Sequence, residues 1–277
     1  VPSETWVSTY CIRPAKLFVG VDQRLAIYFA RHNVPTLTLH SSRYHKWQEE
    51  FRSYLLQTVQ YANISSLRFP NSWAKINSSL EEQMWQKLIR FSRLGVAFPQ
   101  TGGHTIYFHN APRYWIRAMD FAPYFWNERD GEQMSGHVKT LRLQSQLDAS
   151  VVVAALNSSL FFWWFVVLSN CRDLVMREIV NFPIGLERIG EKGKQRLSDL
   201  SHKLMTDLKK NKERKEAQYQ ATGAVAYDEF YPKYSKPIID AIDRELGAHY
   251  GLSEEELDFI INYDIKYRMG RSDEDEE

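Results

Sequence analysis

The chain has 277 residues, 44% hydrophobic and 14% aromatic, which is enough apolar material for one large or two modest cores and excludes a disordered tail. Its net charge of +1 hides a division: from Ser253 to Glu277 ten acids face three bases, a local charge of −7, so the preceding residues carry +8. A basic body with an acidic end suits a polyanion-binding surface, although evenly scattered surface charge gives the same totals; the two distant cysteines, Cys11 and Cys171, exclude a disulfide framework or thiolate metal site and fit a reducing cytoplasm.

In chain order, Thr5 to Ile12 and Arg24 to Arg31 are rich in β-branched and aromatic residues and read as two strands around the loop RPAKLFVGVDQ. A third strand is expected at TLTLH (Thr36 to His40), after Pro35. Trp47 to Tyr61, with Phe51, Leu55 and Val59 at near-helical spacing, reads as helix. SSLEE at Ser78 offers a capping box to a helix whose stripe is Leu80, Met84, Leu88 and Phe91, with Gly95 as its stop. Short strands follow at His104 to His109 and His137 to Leu143, in a mixed α/β region dense in Trp, Tyr and Phe.

No charged residue occurs from Ala149 to Cys171. That length could span a bilayer, but Asn157, Ser158 and Ser159 interrupt it and no second such segment exists, so it reads as a buried core helix with a polar notch and no membrane partner is expected. The opening residues contain no secretory signal pattern. From about Lys192 to Gln218 a charged helix is expected, with a single stripe of Leu197, Leu200, Leu204 and Leu208 and with Lys209, Lys210, Lys212, Arg214 and Lys215 crowding its end. Ser235 to Tyr250, carrying Ile238, Ile239, Ile242 and Leu246 and stopped by Gly251, supplies a partner helix, and a last helix starts at the Ser253 to Glu256 capping box.

Several chemistries are missing. No glycine has another two positions away, so there is no G-x-G turn for close approach to a nucleotide or to S-adenosylmethionine, and Pro-Pro is absent too. His40 with His45 and His104 with His109 lack the company of a zinc site, Glu213-Arg-Lys215 has nuclease-like spacing but falls in the expected charged helix, and Ser158 and Ser159 have no nucleophile elbow around them. What remains is binding chemistry. RYWIRA combines Arg113 and Arg117 with Tyr114 and Trp115, and SGHVKTLR adds Lys139 and Arg142, with His137, Lys139 and Leu141 on one strand face. Guanidinium and aromatic groups suit phosphates and bases, and both motifs equally suit an aromatic core with charged rims.

The words RPAKLFVGVDQRLAIYFAR, SSRYHKWQEEFRSYLL, YFHNAPRYWIRAMDFAPYF, SGHVKTL, ALNSSLFFWWFVVLSNCRDLVMREIVNFPI and DEFYPKYSKPIIDAIDRELGAHYGLSEEELDFIINYDIKYRMG, in that order, resemble the C-terminal part of large type IIG-like adenine-specific DNA methyltransferases, over nearly the whole chain. The resemblance implies an α/β fold in three parts. Residues 1–62 would be the end of the methyltransferase sheet, 63–185 a target recognition domain related to the TaqI-like specificity domain, and 186–277 a helical region with an acidic tail. It implies double-stranded DNA as partner, together with the methyltransferase portion (with or without a nuclease) that holds S-adenosylmethionine and the Pro-Pro tetrad; this chain alone would bind no cofactor and transfer no methyl group. The loop with Lys16 would lie near the flipped-base pocket, and Tyr114, Trp115, Lys139, Asn157 and Ser158 fall in recognition-domain words, Asn157 serving equally to cap or pin the fold. A helical scaffold joining subunits through the leucine stripe is the competing expectation.

Overall fold

The computed structural model describes residues 3–69, 72–220 and 223–269; most of the acidic tail, including Asp273 to Glu277, lies outside them. The chain is a mixed α/β protein that divides into two compact units, one formed by residues 1–87 with 164–171 and the other by 88–163 with 172–277. These limits differ from the three sequence-based segments because the C-terminal helices pack with the helix beginning at Gln146 inside one unit.

The first unit begins with β1 (Ser3–Tyr10), β2 (Leu25–His32), β3 (Thr38–His45) and β4 (Ala62–Asn63), in the order β2-β1-β3-β4. β2 runs antiparallel and β3 parallel to β1. Tyr10, Ala15, Trp47 and Leu55 form a small core on which Leu17 and Ile27 pack. The third strand starts two residues later than TLTLH and continues to His45, because SSRYH buries Ser41, Ser42 and Tyr44. The helix expected over Trp47 to Tyr61 shrinks to a 3-10 helix at Glu49–Tyr54. Of its stripe only Leu55 is buried, while Phe51 is exposed and Val59 partly so; an apolar face without a packing partner does little to hold a helix.

Two short strands, β5 (Arg68–Phe69) and β6 (Ser72–Trp73), precede α1 (Ser79–Leu88). The Ser78 hydroxyl accepts from the Glu81 amide at 3.3 Å, and the buried Glu81 carboxylate accepts from the Asn77 amide and pairs with Arg43 at 3.0 Å. α1 stops at Leu88, well before Gly95, so Phe91 lies beyond it. Trp85 stacks on Trp164 at 5.2 Å, with Phe69 edge-on to both. The buried Lys75 ammonium donates to the carbonyls of Val167 and Ser169 at 3.0 and 2.6 Å, a cation at a helix C-terminus where orphan carbonyls collect.

The second unit contains β7 (His104–His109), β8 (Ala118–Met119), β9 (Phe125–Asn127), β10 (Gly131–Glu132) and β11 (Val138–Leu143), then α2 (Gln146–Asn157), α3 (Ser159–Leu168), which ends in the first unit, and α4 (Met176–Val180). The long uncharged run is two helices bent by 65° at Ser158. Ser158 makes the break: its hydroxyl donates to the Ala155 carbonyl at 2.6 Å, closing α2, and accepts from the Phe161 amide at 2.9 Å, opening α3. Among the described residues no single helix is long and apolar enough to cross a membrane; α2 and α3 together have the length and composition, but they are bent and buried inside the protein.

α5 (Glu191–Lys210) buries Leu197, Leu204 and Leu208 against α2 and α6 (Lys236–Tyr250), while Leu200 is half-buried. It ends at Lys210 rather than Gln218. Lys212 follows the helix, and Arg214 and Lys215 belong to β12 (Glu213–Tyr219), which forms a hairpin with β13 (Gly223–Glu229). This hairpin completes the sheet β10-β9-β13-β12, alongside the sheet β11-β7-β8. α6 stops at Gly251, in the left-handed region at φ 65°, as its sequence predicts. α7 (Glu254–Ile261) has the expected capping box, with Ser253 Oγ accepting from the Glu256 amide at 3.2 Å and Glu256 Oε2 from the Ser253 amide at 2.6 Å. α8 (Ile265–Arg268) ends the described chain's helices.

Candidate nucleic-acid interface

The RYWIRA loop is held from below by Arg268, a buried guanidinium at the end of α8. Its Nε donates to the Tyr114 carbonyl at 3.1 Å and its Nη1 to Ser159 Oγ at 3.0 Å, and the group lies 4.0 Å above the Trp115 ring and 4.7 Å from that of Phe162. The Trp115 indole donates back to the Arg268 carbonyl at 3.0 Å. Trp115 is therefore a buried clamp with a face covered by the protein's own cation. Tyr114 is half-buried, and its carbonyl belongs to the same clamp. The counter-charge is Asp243 on α6, whose carboxylate accepts from the Ser159 and Leu160 amides at 3.2 and 3.1 Å. Burial lowers Arg268 to about 10, against the pull of Asp243, and raises Asp243 to about 6, against its hydrogen bonds to Ser159 and Leu160.

On this fixed base Arg113 is exposed, with no hydrogen bond or ion pair among the described residues. Arg117 is half-buried, and burial lowers its pKa, with Glu229 opposing and Arg113 adding. Next to it His109 stacks on His137 at 5.6 Å, and its Nδ1 accepts from the Ala111 amide at 3.2 Å. Burial first, then Arg117 and His137, push His109 down to about 3, so it is a neutral ring at physiological pH.

On β11 the exposed Lys139 stands opposite Phe108 and donates to the Gly136 carbonyl at 2.8 Å. The expected shared face of His137, Lys139 and Leu141 is split by burial: Leu141 is buried while His137 and Lys139 remain in solvent. Arg142 is exposed opposite Thr105 and has no partner among the described residues.

Three other sequence-predicted residues lie elsewhere or inside. Lys16 is in the first unit, paired with Asp22 at 2.5 Å, in a loop whose carbonyls at Lys16 and Leu17 accept from Arg52. Asn157 is buried: its amide donates to the carbonyls of Ala118 and Val153, both at 2.7 Å, and its oxygen accepts from the Ala118 amide. Ser158, also buried, is the helix-breaking cap described above. Asn157 and Ser158 have their polar groups engaged internally and pin the fold.

Sequence reasoning missed the β10-β9-β13-β12 sheet. Across it, Lys215, Tyr227 and Phe125 form one cross-strand row, and Arg113 and Lys215 both act electrostatically on Tyr227. The Arg214 guanidinium lies 3.6 Å over the Tyr124 ring and 2.6 Å from Asp228 Oδ1, while Lys212 reaches the other carboxylate oxygen at 2.5 Å. Burial pushes Asp228 up, but these two cations outweigh it and hold the carboxyl below its ordinary value. The overlooked signal was Gly223 following Ala-Thr, ahead of the β-like AVAY. Glu213-Arg-Lys215 lies in β12 and not in a helix, and among the described residues no group of His, Cys, Asp and Glu could hold a metal ion. No protein-family model, curated protein or solved structure matches the chain.

Proposed function

We propose that the chain is the sequence-recognition part of an adenine-specific DNA methyltransferase of a restriction-modification system, acting in the cytoplasm, where its two free cysteines stay reduced. S-adenosylmethionine and the flipped adenine belong to the methyltransferase portion that it completes. The observation that carries the DNA reading is the set Arg113, Lys139 and Arg142: exposed cations without acid partners, on a loop and a strand fixed by buried contacts. Such groups suit phosphates, which supply most of the affinity in DNA binding.

Strand β2 supports the partnership with a catalytic sheet. LAIYFA is apolar at both parities, the pattern of a strand covered on both faces. Here β2 is the edge of its sheet, with Tyr28 70% and Phe29 61% exposed on opposite faces. Its edge position and the exposed Tyr28 and Phe29 suit continuation into a larger sheet. The competing scaffold reading loses its surface, because the leucine stripe of α5 is already buried against α2 and α6.

The test is duplex binding between 50 and 200 mM salt, with methyl transfer assayed alongside. The chain alone should bind in a strongly salt-dependent way, weaken on Arg113→Glu with Arg142→Glu, and transfer no methyl group. Binding indifferent to salt and to these reversals would overturn the reading.

A further inference from the structure

We infer that the β12–β13 hairpin is the element that reads base edges in duplex DNA, through the hollow on one face of its sheet. This rests on the recognition reading above and names the site that performs it. Three features carry the inference.

The first is charge order along the hairpin. Lys209, Lys210, Lys212, Arg214 and Lys215 lie at its root beside Glu213, Glu216, Asp228 and Glu229, and the eleven residues from Ala217 to Tyr227 carry no charge. Free cations at the root with uncharged strand residues beyond them suit a duplex, in which phosphates line the rim of a groove and base edges its floor. Lys212 and Arg214 are tied to Asp228, and Lys215 to Glu213 and Glu229. Lys209, 4.1 Å over the Phe121 ring, and the exposed Lys210 are left to meet phosphates.

The second is shape. β12 is an exposed edge strand, and a hollow of about 530 Å³ opens on the sheet face between Tyr124, Trp126, Glu216 and Gln218 over Ala224 and Ala226. The small floor residues let another molecule approach the backbone closely.

The third is the chemistry of the free groups. Gln218 and Glu216 are exposed and have no hydrogen-bond partner among the described residues. The Gln218 amide both donates and accepts, the pattern that pairs with adenine N6 and N7, and the Glu216 carboxylate accepts from an exocyclic amine. Arg214 also lines the hollow, but Asp228 holds its guanidinium, so the Glu216 carboxylate favours base edges over phosphate as occupants.

The test is selection from a randomised 40-base-pair duplex pool by the 277-residue chain and by Gln218→Ala, Gln218→Glu and Lys209→Glu/Lys210→Glu variants, each checked for unchanged thermal melting. Wild type should enrich a motif. Gln218→Ala should lose the preference at one position by about tenfold to a hundredfold, with affinity for unselected duplex within about twofold, and Gln218→Glu should change the preferred base at that position. The double lysine reversal should weaken all sequences alike and flatten the salt dependence by about two counterions. A wild-type motif retained by both Gln218 variants overturns the hairpin assignment alone. Failure of wild type to enrich any motif overturns the recognition reading, and the hairpin with it.

Discussion

Arg268 concentrates much of what holds the second unit together. One guanidinium engages the Tyr114 carbonyl, the Ser159 hydroxyl and two aromatic faces, and it balances Asp243. Removing it leaves a buried carboxylate alone, so Arg268→Ala should cost about 3–5 kcal/mol, read as a lower urea midpoint at constant slope. Arg268→Lys should not restore this, because an ammonium lacks the planar fork that reaches both carbonyl and hydroxyl. Asp243 gives a pH signature. Folded, it holds its proton to about pH 6, whereas the unfolded carboxyl releases it near 3.8. Its contribution to stability is thus fully present below the lower value and lost as pH rises through about 6. Melting temperatures of wild type relative to Asp243→Asn should fall between pH 4 and 6.5; a constant difference would contradict the assignment.

At the scale of elements, legibility followed how local the determinants were. The strand β7, the capping box of α7 and the Gly251 stop of α6 were readable because their signals lie within a few residues. The end of α5 was not. KKNKERKEAQ suits a charged helix by composition, and only the pairing of Arg214 with Asp228, fourteen residues on, makes it a strand. Among candidate site residues, Arg113 and Arg142 were found in solvent, but Asn157 and Ser158 were readable only as polar groups in an apolar run, a pattern that does not separate a ligand contact from a pin. The hairpin depends on Gly223 at φ 70°, where an added Cβ would come 2.2 Å from Glu128 Oε2, the atom that accepts from the Ala224 amide. Gly223→Ala should therefore destabilise by about 1 kcal/mol or more, and amide exchange should quicken first in β12. Leu204→Ala, in the stripe between helices, should cost about 2–5 kcal/mol by leaving a cavity.

For the molecule as a whole, the mixed α/β class was legible, while the division into units was not, since no local pattern announces which distant segments share a core. The uncovered β2 edge gives a prediction at this scale. Left without a covering sheet, its ladder and aromatics should drive the chain to self-associate as concentration rises. Phe29→Lys with Tyr28→Lys should suppress that association in sedimentation experiments while leaving duplex binding intact; equal association in both proteins would count against an unfilled edge.

The return of residues 164–171 to the first unit sets an order of assembly. Trp85 waits for the Trp164 ring, and Lys75 for the carbonyls of Val167 and Ser169, about eighty to ninety residues further on. A nascent chain emerging from the ribosome has made the whole β2-β1-β3-β4 sheet long before these partners exist, so the first unit finishes late although it is synthesised first. That is the high sequence separation associated with slow folding. A polypeptide ending at residue 87 should remain protease-sensitive, and one ending at residue 171 should be the shortest in which Trp85 gains a native-like, blue-shifted fluorescence.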